Sequence, residues 1–257
     1  MRAICLAAGR SSRLLPLTRD VHKSALRIAG WPILDWQMAA FLHAEITDIV
    51  VITGHGSDET CRLLEPWEDL LNIEIVENVD FDRKNLDYSI FCARRYLNGP
   101  SLYFEGDLLL PPELLKRLSR AGAEVTIAAS KNQASERADA VVLRDGTRFL
   151  LESAEHGSLE ISASEGEFIC AVRLGRRAVS ALNFQLTSCG FLGPMRAYKV
   201  FSDLMRTHST ELIDASPYPW IEIDNHQDLE RAAAIVERFG FRPPVSRSKG
   251  SSQSTHQ

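Results

Sequence analysis

The feature that most constrains the fold is a regular alternation, over residues 2–130, of short apolar runs with segments of helical spacing. We predict strands at 2–7, 48–53, 72–76, 101–104 and 124–129, and helices at 32–41, 57–65, 86–97 and 112–120. Such alternation is typical of an α/β protein in which right-handed crossovers place helices on both faces of a sheet. We therefore predict a mostly parallel, doubly wound sheet.

The pattern changes at about residue 138, where short extended stretches are separated by Gly, Ser and Asp. We expect residues 138–193 to form a small antiparallel β subregion that acts as a lid or faces the substrate, with candidate strands at 140–143, 149–151, 168–172 and 191–192. A helix at 195–206, a strand at 220–224 and a helix at 226–239 complete a single domain over residues 1–243. Residues 244–257 are mostly Ser, Lys, Gly and Gln, so we expect a disordered tail.

Composition excludes several classes of protein. The chain has 257 residues with 45% apolar content and a formal net charge of −5, so it can bury a substantial core and has no general electrostatic case for binding nucleic acid. No apolar run is long enough for a membrane span or a secretory segment. The five cysteines are not arranged at metal spacing, and their odd number favours a reducing compartment. We therefore expect a cytoplasmic protein.

The first predicted strand ends in a loop of small residues that is suited to anion binding. Small residues let backbone N–H groups approach a phosphate closely, and two nearby cations, Arg13 and Lys23, add positive charge. The candidate nucleotide-binding residues of this segment are Leu6, Ala7, Ala8, Gly9, Arg10, Ser11 and Ser12. The pattern G-x-x-x-x-G-K-S/T is absent, so the loop is not a Walker loop, and the absence of G-x-G-x-x-G argues against a nicotinamide-dependent dehydrogenase.

Two acidic residues follow predicted strands far apart in the chain. Asp107 comes after Gly106 at one strand end, and Asp224 ends the segment Trp220–Asp224. Ligands of α/β sheets bind beyond the carboxyl ends of strands, so the two carboxylates can meet across a cleft and hold Mg²⁺. Each aspartate alone is also typical of a cap, Asp224 of the last helix. If the two acids meet, neutralising one relieves repulsion, so we expect stability without metal to stay equal or rise.

The N-terminal segment resembles the signature L-A-A-G-x-G-S/T-R-L-x-P-L-T-x-x-x-P-K of nucleotidyltransferases that act on phosphorylated small molecules. Ser11 stands at the second glycine of that pattern and His22 at its last proline. The resemblance covers about residues 2–130 and 187–237 and implies a Rossmann-like nucleotidyltransferase fold. It also implies that Arg13 and Lys23 are catalytic, that Gly106 binds nucleotide, and that Asp107 and Asp224 bind Mg²⁺.

Within that family, the chain looks most like the cytidylyltransferases for phosphocholine or aminophosphonates, because an E-K-P sugar-binding segment is absent. Asn85 and Ser89, four residues apart on a predicted helix, are candidates for reading a pyrimidine, with helix capping an equal alternative for Asn85. The candidates for contacting an acceptor's ammonium group are aromatic and acidic. They are Tyr88, Phe191, Tyr218, Trp220 and Glu222. We assign no role to His55.

The expected partners are CTP, or another nucleoside triphosphate, and a small phosphorylated or phosphonate acceptor. We expect neither nucleic acid nor a membrane as a partner, and the sequence leaves a homodimer open. Two other functions also stay open. A sugar-1-phosphate nucleotidyltransferase would share this site, and a non-catalytic nucleotide-binding module would bind nucleotide without releasing pyrophosphate.

Overall fold

A central sheet organises the chain in a computed structural model, which describes residues 1–82, 86–131, 140–153, 164–188 and 197–244. The strands are β1 Arg2–Ala7, β2 Arg27–Ile28, β3 Trp31–Pro32, β4 Asp48–Thr53, β5 Asn72–Glu77, β6 Ser101–Glu105, β7 Leu108–Leu109, β8 Val125–Ser130, β9 Ala140–Asp145, β10 Arg148–Ser153, β11 Gly166–Leu174, β12 Thr210–Asp214 and β13 Ile221–Glu222. The α-helices are α1 Ile33–His43, α2 Ser57–Leu64, α3 Leu86–Cys92, α4 Pro112–Arg120, α5 Arg176–Ser188, α6 Ala197–Thr207 and α7 His226–Glu237. Short 3₁₀ turns lie at Ser12–Leu14, Lys23–Ala25, Glu65–Trp67 and Ala93–Tyr96.

The strand order of the main sheet is β10-β9-β11-β6-β1-β4-β5, and β8 pairs with β11 and β12. The strands β6, β1, β4 and β5 are parallel, which confirms the predicted α/β class with its central parallel strands. Strand β11 runs antiparallel to β6, β8 and β9. Because β11 is hydrogen-bonded to β6, the antiparallel region expected near 138–193 is an extension of the main sheet.

Alternate residues of β1 divide the core into two layers. Ala3, Cys5 and Ala7 pack on the face covered by α1, α2 and α4, whereas Ile4 and Leu6 pack on the face covered by α3, α5 and α6. Both sets are nearly or fully buried, as expected for a central strand with helices on both sides. The end of the strand at Ala7 is therefore held in place by packing on both faces, and so is the start of the loop that follows it.

Two predictions about the later part of the chain need correction. Residues 176–188, within the region expected to be extended, form α5, and its buried residues Ala178, Val179 and Leu182 have helical spacing. The segment 220–224 contributes only the two-residue strand β13, which pairs with β7 outside the main sheet. The candidate strand at 191–192 and most of the expected tail lie outside the described residues. Among the described residues, no helix has the length and apolar content that a membrane span requires.

Candidate active site

Two loops at the carboxyl ends of β1 and β6 are packed directly against each other. The Gly106 N–H donates to the Leu6 carbonyl at 2.9 Å. A Cβ on Gly106 would lie 2.9 Å from the Cβ of Ala7, and one on Gly54 would lie 2.7 Å from the Ala8 carbonyl oxygen. Such distances are too short for any side chain, so glycine is required at both positions. The close packing brings Asp107 to the end of β1.

The turn that carries Asp107 is held by the buried side chain of Gln37, on α1. Its Nε2 donates to the carbonyl oxygens of Glu105, at 3.0 Å, and Leu108, at 2.9 Å. The two carbonyls flank Gly106 and Asp107, so one amide group fixes both ends of the turn. Gln37 is not among the site residues predicted from the sequence, although a glutamine within the apolar run of a buried helix is a signal that the sequence offers.

Asp224 reaches the same place through β13. The Ile223 N–H donates to the Asp107 carbonyl at 3.1 Å, and Ile221 and Ile223 are buried. Since side chains alternate along an extended segment, Glu222 and Asp224 lie on the opposite side from those isoleucines. Carboxylate oxygens of Asp107, Glu222 and Asp224 all lie within 4.8 Å of one another. The sequence-based prediction that two distant aspartates meet is therefore confirmed as geometry.

Asp224 is not the N-cap of the last helix, the alternative role considered for it; the N-cap is the next residue, Asn225. Asn225 caps α7 by accepting from the N–H groups of Gln227 and Asp228. Asp228 completes a capping box by accepting from the Asn225 N–H at 3.2 Å and from the Asp224 N–H at 3.2 Å. The helix is thus capped without the Asp224 carboxylate, which is directed to the cations described next.

Arg13 and Lys23 both reach these carboxylates. Lys23 Nζ is in contact with Asp107 Oδ2 and lies 3.6 Å from Asp224 Oδ1. Arg13 Nη1 lies 3.2 Å from Asp224 Oδ2. The Lys23 side chain is 14% exposed and that of Asp107 is 5% exposed, whereas Arg13 is largely in solvent. The Lys23 pair is therefore the more strongly desolvated of the two, and the less screened by salt.

The four charged side chains line one cavity of about 250 Å³. The lining residues are Leu6, Gly9, Ser11, Ser12, Arg13, His22, Lys23, Glu105, Asp107 and Asp224. The loop side of this cavity carries the cations, and the side formed by β6 and the segment after β13 carries the acids. Glu105, which the sequence analysis did not select, adds to the acidic side.

The loop itself is held in an unusual conformation at Ser11. This residue has φ 52° and ψ 47°, the left-handed region that glycine adopts without strain. Its carbonyl accepts from Thr18 Oγ1 at 2.9 Å and from the Leu14 N–H at 3.0 Å. The Thr18 carbonyl in turn contacts His55 Nε2 at 2.9 Å. His55, to which the sequence analysis assigned no role, thus supports the loop.

Several predicted site residues lie elsewhere. Arg10 pairs with Asp82 through two hydrogen bonds, one of them 2.6 Å, and does not line the cavity. Ser89 is buried and accepts from Asn78 Nδ2 at 3.1 Å. The positions of Asn85 and Phe191 lie outside the described residues.

The three described aromatic candidates for acceptor binding also do not line this cavity. Tyr88 stacks on Phe91 with ring centroids 5.4 Å apart. Tyr218 accepts from Arg117 Nη1 at 3.1 Å and lines a different cavity, beside α4. Trp220 is buried in the core. Trp220 lies within the core and Tyr218 packs against it, which is the commoner use of a large aromatic side chain.

The donor set suits a hard divalent cation. Asp107 Oδ1 is buried and, within the described part of the chain, has no hydrogen-bond partner. A buried carboxylate oxygen without a partner carries a large desolvation cost, which a cation at that position would offset. With Glu222 and Asp224 beside it, the cluster supplies the oxygen ligands that Mg²⁺ takes in proteins.

The sequence is also similar to known nucleotide-transferring proteins. A family model described as the MobA-like NTP transferase domain matches residues 3–186. The CMP-5'-(3-aminopropyl)phosphonate synthase of Streptomyces rubellomurinus is 26% identical over 256 residues, which are 95% of this chain and 39% of that protein. The 2-aminoethylphosphonate cytidylyltransferase of Lancefieldella rimae is 30% identical over 112 residues, which are 43% of this chain and 44% of that protein. The chain therefore aligns with less than half of the length of either relative.

The fold is also that of a solved structure, the inositol-1-phosphate CTP transferase from T. maritima. It matches with a TM-score of 0.76 and 21% identity, over 93% of this chain and 95% of that chain. At this identity the likeness concerns the fold alone, and it confirms the predicted nucleotidyltransferase architecture. Because the family model covers well over half of the sequence, the chain belongs to the MobA-like NTP transferase domain family.

Proposed function

We propose that this protein is a Mg²⁺-dependent cytidylyltransferase, which transfers CMP from CTP to a small phosphorylated or phosphonate acceptor and releases pyrophosphate. The observation that carries the proposal is the convergence of Arg13, Lys23, Asp107 and Asp224 on one cavity beyond the parallel strands. The two relatives described above, whose names contain CMP or cytidylyl and a phosphonate, support the choice of nucleotide and acceptor.

The reaction needs no nucleophile from the protein, because the acceptor oxygen is already anionic near neutral pH. That oxygen attacks the α-phosphorus in line, a new P–O bond forms, and the bond to pyrophosphate breaks. Catalysis then depends on positioning and on stabilising negative charge. The loop from Gly9 to Arg13 would receive the β- and γ-phosphates, and Lys23 would stabilise charge that develops on the α-phosphate.

The acidic cluster of Asp107, Glu222 and Asp224 would hold the metal ion. When bound, Mg²⁺ supplies positive charge that offsets the charge of the triphosphate oxygens. Buried Asp107 is the ligand whose position is best defined, because Gln37 fixes both ends of its turn. Lys23, already in contact with Asp107, would bridge this acid and an incoming phosphate.

The distribution of charge in the cavity favours an acceptor with a positive group. Glu105 lines the acidic side, and its carboxylate lies within 4.8 Å of that of Glu222 and of Cys170 Sγ. A compact primary ammonium suits carboxylates, whereas a trimethylammonium group is typically bound by aromatic faces. Since the described aromatic candidates lie elsewhere, we favour an aminophosphonate or amino-alcohol phosphate over phosphocholine.

Pyrophosphate release tests this assignment. The purified protein is assayed with each of four nucleoside triphosphates and with 2-aminoethylphosphonate, phosphocholine and hexose 1-phosphates as acceptors. We expect release with CTP and an amino-bearing phosphonate or phosphate, and none from the Asp107→Asn control. Turnover of hexose 1-phosphates alone would assign the protein to the sugar branch. Calorimetric binding of CTP without release under any combination would instead indicate a non-catalytic module.

Replacement of Ser11 by glycine separates two roles of this residue. Glycine relieves the strain of φ 52°, so we expect unfolding in urea to require about 1 kcal/mol more free energy. Ser11 lines the cavity and the variant loses its hydroxyl, so we expect the affinity for CTP with Mg²⁺ to fall by up to about tenfold. Ser12→Gly is the matched control, because Ser12 lies in a 3₁₀ turn and glycine should not stabilise it. A rise in CTP affinity for Ser11→Gly would contradict the hydroxyl's role.

A further inference from the structure

We propose that His22 is a positioning residue for Lys23: its ring caps the turn that begins at Lys23 and so holds the ammonium group at the carboxylates of the cavity. The proposal rests on the proposed function for its kinetic consequence, but its structural claim can be tested without any activity. Nothing in the proposal requires the imidazole to touch a substrate.

The His22 side chain caps the N-terminus of the short turn Lys23–Ala25. His22 has φ −68° and ψ 150°, and its Nδ1 accepts from the Ser24 N–H at 3.1 Å. The Ser24 hydroxyl lies 2.9 Å from the same nitrogen. The next two backbone bonds, from Ala25 N–H to the His22 carbonyl and from Leu26 N–H to the Lys23 carbonyl, are both 3.0 Å. Lys23 is therefore the first residue of a turn closed on both sides.

The surroundings of the ring fix its chemical state. His22 is 2% exposed, and its burial, together with the nearby charge of Lys23 and His55, lowers its pKa to about 3. The ring is thus neutral at pH 7. Because Nδ1 accepts from the Ser24 N–H, the ring proton lies on Nε2. A neutral acceptor is what an N-terminal cap requires, whereas a protonated ring would repel Lys23.

Packing against the β4–α2 loop leaves little freedom to this segment. Gly56 has φ 65°, and a Cβ there would lie 2.5 Å from the backbone nitrogen of His22. On the other side, Ser24 is fully buried. The backbone from His22 to Ser24 is therefore confined, and the side-chain cap sets the direction in which the Lys23 side chain leaves it. That side chain then has to reach Asp107, which is its closest partner among the described residues.

Two matched pairs of variants isolate the cap. The variant His22→Asn would place an oxygen where Nδ1 is, whereas His22→Gln places its polar atoms near Nε2 and leaves the Ser24 N–H without an acceptor. The second pair, His22→Ser and His22→Ala, differs by one hydroxyl at nearly equal volume, and serine is a good N-cap. The second pair keeps the test valid if the glutamine variant does not fold.

The first readout is the rate at which an amine-acylating reagent modifies Lys23, measured by mass spectrometry of the peptide that contains it, without nucleotide. We expect the Asn and Ser variants to react within about twofold of the wild type. We expect the Gln and Ala variants to react about fivefold faster, the factor that corresponds to one lost cap. Equal labelling within both pairs would overturn the proposal.

The second readout is the split between kcat and CTP binding. A variant without the cap should lose about fivefold in kcat while its Kd for CTP stays within about twofold, because Lys23 acts mainly in the transition state. If His22 served only to fill space in the fold, both members of a pair would lose thermal stability equally and kcat would not change. That result would also overturn the proposal. If the wild type releases no pyrophosphate, the proposed function fails, and labelling alone decides the role of His22.

Discussion

Lys23→Ala is expected to reduce kcat by about 10²–10³-fold, while the Kd for CTP changes by only a few-fold. The Lys23 side chain is 14% exposed and its ammonium group lies at the carboxylates of the cavity, where little water competes for it. A positive charge in such a place contributes most when charge develops on the α-phosphate, which is worth roughly 2.7–4 kcal/mol of transition-state stabilisation. Steady-state kinetics and calorimetric titration of CTP with Mg²⁺ separate the two quantities.

Two further variants serve as controls for that result. Lys23→Arg should also be slow, because a planar guanidinium does not replace a compact ammonium in a space of this size. Lys23→Met keeps the apolar part of the side chain and shows whether lost packing contributes. Near-normal turnover of a folded Lys23→Ala protein would contradict the assignment of Lys23 to the reaction.

Asp107→Asn is expected to abolish Mg²⁺-dependent turnover and also to destabilise the metal-free protein by about 2 kcal/mol. The loss of stability reverses the expectation from sequence, which considered only repulsion between two acids. In the structure the Asp107 side chain is 5% exposed and paired with Lys23. Loss of its carboxylate charge leaves a poorly hydrated ammonium whose remaining ion-pair partner, among the described residues, is the more distant Asp224. Urea unfolding without metal measures this effect.

Asp224→Asn provides the matched comparison. The Asp224 side chain is 28% exposed and that of its partner Arg13 is 60% exposed, so we expect a stability change of no more than about 1 kcal/mol despite a similar loss of turnover. If both aspartate variants kept their activity and Asp107→Asn alone lost stability, the two acids would be structural groups and the assignment of a metal site would be withdrawn.

Much of the fold could be predicted from local patterns. Strand Asp48–Thr53 was predicted from its β-branched run, and helix Pro112–Arg120 from the two prolines at its start; the structure has both. The errors come from segments whose pattern is set by distant partners. Strand Thr210–Asp214 was not predicted, because its five residues become a strand only through parallel pairing with β8. The α5 helix was missed although its buried positions have helical spacing, since neighbouring extended runs suggested continuation.

The candidate site shows a similar division. Charged residues suited to phosphate and metal chemistry, such as Lys23 and Asp107, could be selected from sequence, and the two side chains do meet. The residues that hold them could not. Gln37 acts through two carbonyl groups that lie about seventy positions further along the chain, and only the folded structure shows that contact. Trp220, in contrast, was selected from sequence as a candidate for acceptor binding but is buried in the structure. A large aromatic ring is suited equally to a ligand site and to a core, and the sequence does not show its burial.

The pairing of cations with acids in the ligand-free cavity has a consequence for the order of events in solution. A free divalent cation has to compete with Lys23 for Asp107 and with Arg13 for Asp224. If the cation and a triphosphate bind together, as the proposed function requires, both basic side chains would gain phosphate partners as they leave the acids. Thermodynamic linkage then requires each ligand to raise the affinity for the other by the same factor. On the proposed function, the protein would therefore be selective for the metal–nucleotide complex, and its occupancy would follow the concentration of that complex more closely than the concentration of free metal.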